Sequence, residues 1–372
     1  MIDELREELR HRVSEPRRWA GSLRRLTFAR AVQASNSIEG YNATLDDVVA
    51  AVDGDDVLDA SAETASAVSG YRDAMTYVLQ HAHDETAKVD EGLLKALHFM
   101  MIKHDLAKNP GRWRPGAIWV RREPEGAIVY EGPPSDEIPA LIVEMIRELE
   151  RSDAPVLFRA AVAHLNLVMI HPFSDGNGRM ARALQTLVLA REQIVAPVFS
   201  SIEEYLGRNT QAYYDVLAQV GEGAWHPEND ARPWVRFCLT AHYRQGRTHL
   251  RRVQEVEELW LASVALAERH RLPERAAAGL MDAAYGLRVR NARYRASVDF
   301  SSGEEISELT ATRDLKAMVE AGLLTAVGER RGRFYVASDP LLQARQRIRA
   351  ERPTKELADP FTRASEQLSL EI

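Results

Sequence analysis

Apolar residues recur along most of this chain at helical spacing, and two short segments break that rhythm. Leu23, Leu26, Ala29 and Val32 lie three residues apart and predict one face of a helix that runs to Ile38 and is closed by Gly40. The first 20 residues are highly charged and read as one short exposed helix. Asn42 to Asp47 has the pattern of a capped helix start, and helices are expected over Leu45–Val52, Ala60–His83 and Glu91–Met101. From Lys108 the pattern changes. Asn109-Pro-Gly-Arg-Trp-Arg-Pro-Gly marks a turn, and Ala117–Arg121 and Ala127–Tyr130 flank Arg122–Gly126 as a β-hairpin. A lone hairpin is marginal in water, so it must lie on the helices.

Helical spacing returns at Ser135–Arg151. Val156–Ile170 is apolar almost all round, which predicts the central buried helix, with His164 as a hydrogen-bonded core histidine. Met180, Ala183, Leu184, Leu187 and Val188 give the next stripe. Ile202–Leu206 and Asn209–Leu217 follow, and Ala231–Arg247 closes the core, so a chain ended near Arg247 is expected to fold alone. Thr248–Arg271 reads as a charged connector helix. Ile306–Leu324 turns Leu315, Met318, Val319 and Leu323 inward and ends at Gly322. Leu324–Val327 and Arg333–Val336 form a second hairpin around a Glu-Arg-Arg-Gly turn. Residues 340–372 are polar and expected to end in disorder.

At 372 residues the chain suits about two or three domains. A net charge of −7 argues against a general nucleic-acid binder and leaves room for a local basic surface. Cys238 is the only cysteine, so no intramolecular disulfide forms, which suits a reducing, cytoplasmic setting. It sits in an apolar helical run and reads as packing. The charged N-terminus has no signal-peptide core, and no window reaches the ~18 apolar residues of a membrane span. His81 and His83 are two apart and share no helical face, which argues against zinc there.

The candidate chemistry lies in His171-Pro-Phe-Ser-Asp-Gly-Asn-Gly-Arg-Met-Ala-Arg182, a loop between two helices. Pro172 pushes His171 toward an extended backbone and should end the first helix. Gly176 and Gly178 allow tight turning and close approach of a ligand. The next helix should begin near Arg179, and its unpaired N–H groups with Gly176, Asn177 and Gly178 make a nest for an anion, best a phosphate. Arg179 and Arg182 share a flank and lean back toward that nest. Asp175 is a hard oxygen ligand suited to Mg²⁺ bridging phosphates, and His171 has a suitable pKa for a general base. There is no Gly-x-x-x-x-Gly-Lys-Ser/Thr, so nucleotide binding through a P-loop is absent.

This stretch resembles the Fic-family signature His-x-Phe-x-Asp/Glu-Gly-Asn-Gly-Arg-x-x-Arg at every defined position, from His171 and Phe173 to Arg182. The resemblance implies a mainly α fold: a Fic-type helical core with a β-hairpin flap. It also implies transfer of AMP from ATP to a Ser, Thr or Tyr hydroxyl of a protein or of the chain itself. His171 would be the base and Asp175 the Mg²⁺ ligand. Ser35-x-x-x-Glu39-Gly40 is similar to the family's inhibitory motif, which implies a self-inhibited member with Glu39 paired to Arg182. The hairpin, with Pro110-Gly111-x-x-Arg114 before it and Pro133 and Pro134 after it, resembles the family's flap. There a target segment would be held by strand addition along Ile118, Trp119, Val120, Ile128 and Val129. Family members commonly carry a Tyr-Tyr pair near the nucleotide base; Tyr213 and Tyr214 stack on adenine or simply pack.

The C-terminal helix and hairpin resemble a winged-helix module, with Arg330 and Arg331 available to phosphates. Charges there nearly balance, so a protein-interaction or dimerising role stands beside DNA binding. The expected organisation is 1–105 with the inhibitory helix near 23–40, a Fic core over 106–247, a connector and winged helix over 248–340, and a polar tail over 341–372. Three other readings stay open. The chain is a winged-helix DNA-binding regulator with a nucleotide-sensing core, or it removes AMP, or it transfers another group such as phosphate or phosphocholine. The intact Gly-Asn-Gly-Arg segment speaks against the last.

Overall fold

The computed structural model describes residues 1–14, 17–55, 59–122, 126–151, 153–192, 197–329, 332–350 and 360–361. The chain forms two compact units that do not follow chain order. One comprises Met1–Glu7, Arg30–Val52 and Asp56–Gly246, and the other Glu8–Ala29, Asp53–Asp55 and Arg247–Ile372. Helices α1 (Ile2–Ser14) and α2 (Ala20–Ile38) each contribute residues to both. Leu5, Leu9 and Val13 recur every fourth residue and are buried, so α1 has an inward stripe where its high charge suggests full exposure.

The first unit contains α3 (Leu45–Asp53), α4 (Ala62–His81), α5 (Glu91–Ile102), β1 (Trp119–Arg122), β2 (Ala127–Glu131), α6 (Ile138–Arg151), α7 (Val156–Ile170), α8 (Asn177–Ala190), α9 (Glu203–Arg208) and α10 (Thr210–Gly221). Helix α11 (Arg232–Arg269) begins in it. Helices α7 and α8 lie against each other, and α4 and α5 also reach α8. Every residue of α8 except Gly178 is buried, charged ones included. That makes α8, rather than α7, the most enclosed helix of this unit. Helix α7 keeps a wet side, with Phe158 44% exposed. Apolarity all round therefore overstates its burial.

β1 and β2 pair antiparallel, Trp119 opposite Glu131 and Val120 opposite Tyr130; the register then shifts so that Arg121 faces Ile128. Val129 is the extra residue, and such a bulge increases local twist. The hairpin is fastened to the helices by the Tyr130 hydroxyl, which donates to the Met169 carbonyl at 2.7 Å, and by the Glu131 N–H, which donates to Gly223 O at 2.9 Å. Tyr130 belongs to an apolar cluster with Leu165, Met169, Tyr213, Trp234 and Cys238. Cys238 is packing, as expected, and burial pushes its thiol up. Among the described residues no helix is long and apolar enough to cross a membrane.

In the second unit α12 (Ala276–Ala284), α13 (Asn291–Ser302) and α14 (Glu308–Glu320) pack together and lead into β3 (Leu324–Val327) and β4 (Phe334–Ala337). Val289 and Tyr335 exchange two backbone hydrogen bonds at 2.9 and 2.8 Å. The segment before α13 thereby lines β4. A buried ionic cluster holds the N-terminal stretch in this unit: Arg25 donates to both Asp282 oxygens at 2.7 and 2.8 Å, and Ser297 donates to the same carboxylate at 2.5 Å. Asp53 lies 3.4 Å from Arg25 and 3.5 Å from Arg293. Residues 8–29 thus belong with the C-terminal half, which apolar spacing in α2 does not reveal. Ending the chain near Arg247 strips them of these partners.

Two boundaries also differ from expectation. No break separates a core-closing helix from a connector, because Gly246 alone does not stop a helix. The polar tail begins as α15 (Asp339–Ala350), with Leu341 and Ala344 buried. Arg330 and Arg331, and most of the tail, lie outside the described residues.

Candidate active site

The motif loop begins where α7 ends. His171 has φ +50° and ψ +57°, and its N–H donates to the Leu167 carbonyl at 3.0 Å. The helix stops there as expected, yet His171 is left-handed rather than extended. Both conformations avoid the clash of a right-handed turn with Pro172, and only the left-handed one caps the helix. A non-glycine residue in this region stores strain, a feature of functional sites. The His171 Nδ1–H donates to the Val168 carbonyl at 3.1 Å, leaving Nε2 as the basic nitrogen. Burial lowers the imidazole pKa from its ordinary value.

The loop is closed from inside. The Asn177 side chain accepts from the Phe173 N–H and donates to the Phe173 carbonyl, both at 2.9 Å. Its amide is therefore held to the Phe173 backbone through both its oxygen and its nitrogen. Phe173 is buried and stacked on His98, with ring centroids 3.8 Å apart. His98 Nδ1 accepts from the Gly111 N–H at 2.8 Å, so its Nε2–H donates to the Asp175 carbonyl at 3.0 Å. Burial takes its pKa down to about 4, which keeps it neutral in that role. Arg114, buried, donates to the carbonyls of His171, Gly116 and Pro133, and so ties the hairpin's base to the loop.

Helix α8 starts at Asn177, two residues before the expected start. Its first-turn N–H groups have no intrahelical acceptors and carry the positive end of the helix dipole. Gly176 has φ +77°, and a Cβ there would meet Ile102 at 2.9 Å. A Cβ on Gly178 would meet Glu39 Oε1 at 2.7 Å and Arg182 Nη1 at 3.0 Å. Only glycine leaves room over this turn for both groups.

The two arginines differ. Arg179 has 0% exposure, and none of its three guanidinium nitrogens has a hydrogen-bond partner among the described residues. Its nearest carboxylate oxygen, on Asp175, is 3.8 Å away, and the Tyr41 ring centroid is 5.2 Å from its Cζ. A buried cation this poorly satisfied is built to meet an anion. Arg182 is occupied. Its Nη2 donates to Glu39 Oε1 at 2.7 Å and to the Ser35 carbonyl at 3.1 Å, and its Nε donates to Ser35 Oγ at 2.8 Å. Burial works to lower its pKa, but Glu39 and the Tyr213 and Tyr71 hydroxyls prevail and raise it. Ser35 and Glu39 project from the C-terminal end of α2, where a lone carboxylate opposes the helix dipole and a cation relieves it.

Asp175 accepts the Gly176 N–H on Oδ1 at 2.7 Å and the Lys108 ammonium on Oδ2 at 2.6 Å. Burial pushes its pKa up, but Lys108 and Arg179 outweigh that and hold it below the usual carboxylate value. Nothing in the sequence around Lys108, His98 or Tyr41 marks them as chemistry-bearing; each reaches the loop through the fold.

Of the tyrosine pair, Tyr213 is buried and hydrogen-bonds His164 Nε2 at 3.0 Å, with Gln185 on the other ring nitrogen at 2.6 Å. Tyr213 packs, and His164 is a satisfied core histidine whose pKa burial lowers to about 3. Tyr214 is 45% exposed and donates to the Ile38 carbonyl at 3.2 Å, beside Glu39. On the hairpin, Trp119 and Ile128 are exposed, Val120 packs on the core, and Ile118 and Val129 are half-buried. Behind Arg182 lies a further acid, Glu203, which accepts from the Tyr71 hydroxyl at 2.8 Å. Burial raises its pKa to about 7.

Residues 88–189 match the family described as Fic/DOC. A protein adenylyltransferase Fic of Nematostella vectensis is 27% identical over 257 residues, covering 63% of this chain and 52% of that protein. A protein adenylyltransferase Fic of Aedes aegypti is 41% identical over 78 residues, 21% of this chain and 13% of that one. The chain thus spans about half or less of the length of these curated relatives. Among solved structures, a Fic family protein of Desulfovibrio desulfuricans superposes with TM-score 0.53 at 25% identity, over 85% of this chain and 87% of that one. Fic-1 of Caenorhabditis elegans gives 0.53 at 23% identity over 67% and 69%, a likeness of fold.

Proposed function

We propose that the chain, whose residues 88–189 match the Fic/DOC family, transfers AMP from ATP to a hydroxyl of a protein. The observation that carries this reading is Arg179, a buried guanidinium with no hydrogen-bond partner among the described residues, at the dipole-positive start of α8. It directly follows Gly178 and shares the motif loop with His171, whose Nε2 is the basic ring nitrogen.

In the proposed reaction His171 Nε2 takes the proton from the target hydroxyl. The hydroxyl oxygen forms a bond to the α-phosphorus of ATP, and the bond from that phosphorus to the bridging oxygen breaks. Pyrophosphate leaves with the electron pair. The first-turn N–H groups of α8 and Arg179 bind and orient the phosphates, and such positioning and charge stabilisation carry most of this kind of chemistry. A single ionised carboxylate beside a phosphate nest fits Mg²⁺, which takes one or two carboxylates plus phosphate oxygens. Asp175 would hold it, and the ion would neutralise charge on the leaving group.

Glu39 is proposed to inhibit this reaction by keeping Arg182 from the phosphates, a role supported by their 2.7 Å contact. The exposed Trp119 and Ile128 on the hairpin suit a docking target segment. The element order of the second unit, with a helix, a bridging segment, two helices and a hairpin, supports reading it as a winged helix. Incubation with ATP and Mg²⁺ followed by intact-mass spectrometry tests the reaction. Added AMP on the chain supports it; added phosphate would replace it with a kinase-like reading.

A further inference from the structure

The Lys108 ammonium lies 2.6 Å from Asp175 Oδ2. The other oxygen, Oδ1, already accepts the Gly176 N–H at 2.7 Å, so Oδ2 is the one left for a cation. A carboxylate-bound Mg²⁺ sits about 2.0–2.1 Å from its oxygen. An ammonium at 2.6 Å takes one of the two lone-pair positions of that oxygen, which Arg179 Nη2 also approaches to 3.8 Å, and its charge repels a further cation brought there. Lys108 and a divalent ion therefore compete for Oδ2.

Lys108 also has somewhere else to go. It ends the short turn Leu106–Lys108, and its ammonium is 3.8 Å from Asp105 Oδ2. The Asp105 side chain is fixed by accepting the Ala107 N–H at 3.1 Å on its other oxygen. Lys108 is 35% exposed and has a flexible four-carbon stem, so a small swing carries the charge from Asp175 to Asp105 without burying it.

We propose that Lys108 is a counter-ion that competes with the metal: it holds Asp175 Oδ2 in the metal-free protein and passes to Asp105 when a Mg²⁺–nucleotide arrives. This rests on the reading of Asp175 as the metal ligand. Lys108 then sets how strongly Mg²⁺ and nucleotide reinforce each other's binding, a reciprocal coupling.

The coupling is measured by calorimetry on the full chain, as the ratio of the affinities for α,β-methylene ATP, which cannot donate AMP, in excess Mg²⁺ and in EDTA. Lys108→Met should raise that ratio by more than twofold, about three- to fivefold being the factor expected for loss of a part-exposed ion pair. Asp105→Asn should lower it, because the displaced ammonium loses its second partner. A ratio in Lys108→Met within twofold of wild type, or below it, would overturn the proposal. Asp175→Asn separates the two levels. If it leaves the ratio unchanged, the metal reading itself falls; if it abolishes the ratio while Lys108→Met does nothing, only the role of Lys108 falls.

Discussion

Glu39 Oε1 and Arg182 Nη2 lie 2.7 Å apart, joining the end of α2 to the third residue past Arg179 on α8. The pair is mostly buried, and Ser35 adds two more bonds to the same guanidinium. Removing one partner of such a pair leaves an uncompensated buried charge. Glu39→Gly should therefore lower thermal stability, and added ATP should restore part of it by binding the folded state. Melting curves with and without nucleotide check this. A variant as stable as wild type, with no nucleotide effect, would mean that the pair contributes little.

His171 has a pKa lowered by burial, so the base is already neutral at pH 7. In an active background the rate should be flat from about neutral upward and fall only at a pH below the ordinary histidine value of about 6.5. His171→Ala should lose on the order of 10²–10⁴ in rate. A pH–rate profile with its acid limb above that value would contradict the buried, Val168-bonded imidazole.

Glu203 is a carboxyl whose folded pKa, about 7, is raised above its unfolded value of 4.5. The folded state then holds the proton more tightly. Stability is full below the unfolded pKa and is lost as pH rises through the folded one. Glu203→Gln mimics the neutral acid, so its advantage over wild type should grow between about pH 5 and pH 8, on the order of 1–3 kcal/mol. Urea unfolding of both proteins at the two pH values measures it. An unchanged gap would show that Glu203 does not titrate in this range.

A chain ended at Gly246 loses Asp282 and Ser297, the partners of buried Arg25. Loss of a buried pair costs about 3–5 kcal/mol. Trp19, Leu23 and Leu26, buried in the full chain, add apolar surface to that loss. The shortened chain is expected to be poorly soluble or partly unfolded by circular dichroism. A soluble chain with full helical content would show that residues 8–29 need no partner beyond Gly246.

The features legible in the sequence are local ones. The loop from His171 to Arg182, the end of α2 at Gly40 and the hairpin each carry their signal in a few consecutive residues, as turn chemistry or period. The features hidden from it join distant residues. Lys108 meets Asp175 across 67 positions, His98 meets the Asp175 carbonyl across 77, and Tyr71 meets Glu203 across 132. Apart from Asp175, none of these residues stands out in its own neighbourhood. The Arg25–Asp282 contact spans 257 positions, and for the same reason the spacing in α2 assigns that helix to one region only. His171 shows the limit of a local rule: Pro172 excludes the right-handed helix but does not choose between extended and left-handed backbone.

The most direct measurement is incorporation of label from α-labelled ATP into the chain itself, in wild type, Glu39→Gly, and Glu39→Gly combined with His171→Ala or with Arg182→Ala, at equal concentration and with Mg²⁺. A hydrogen bond to a charged group is worth about 1.5–3 kcal/mol, or about 10–150-fold. Glu39→Gly should label at least about tenfold faster than wild type, and either second substitution should remove most of that gain. A folded Glu39→Gly protein that labels no faster than wild type would contradict inhibition through Arg182, and labelling that survives His171→Ala would contradict the proposed transfer.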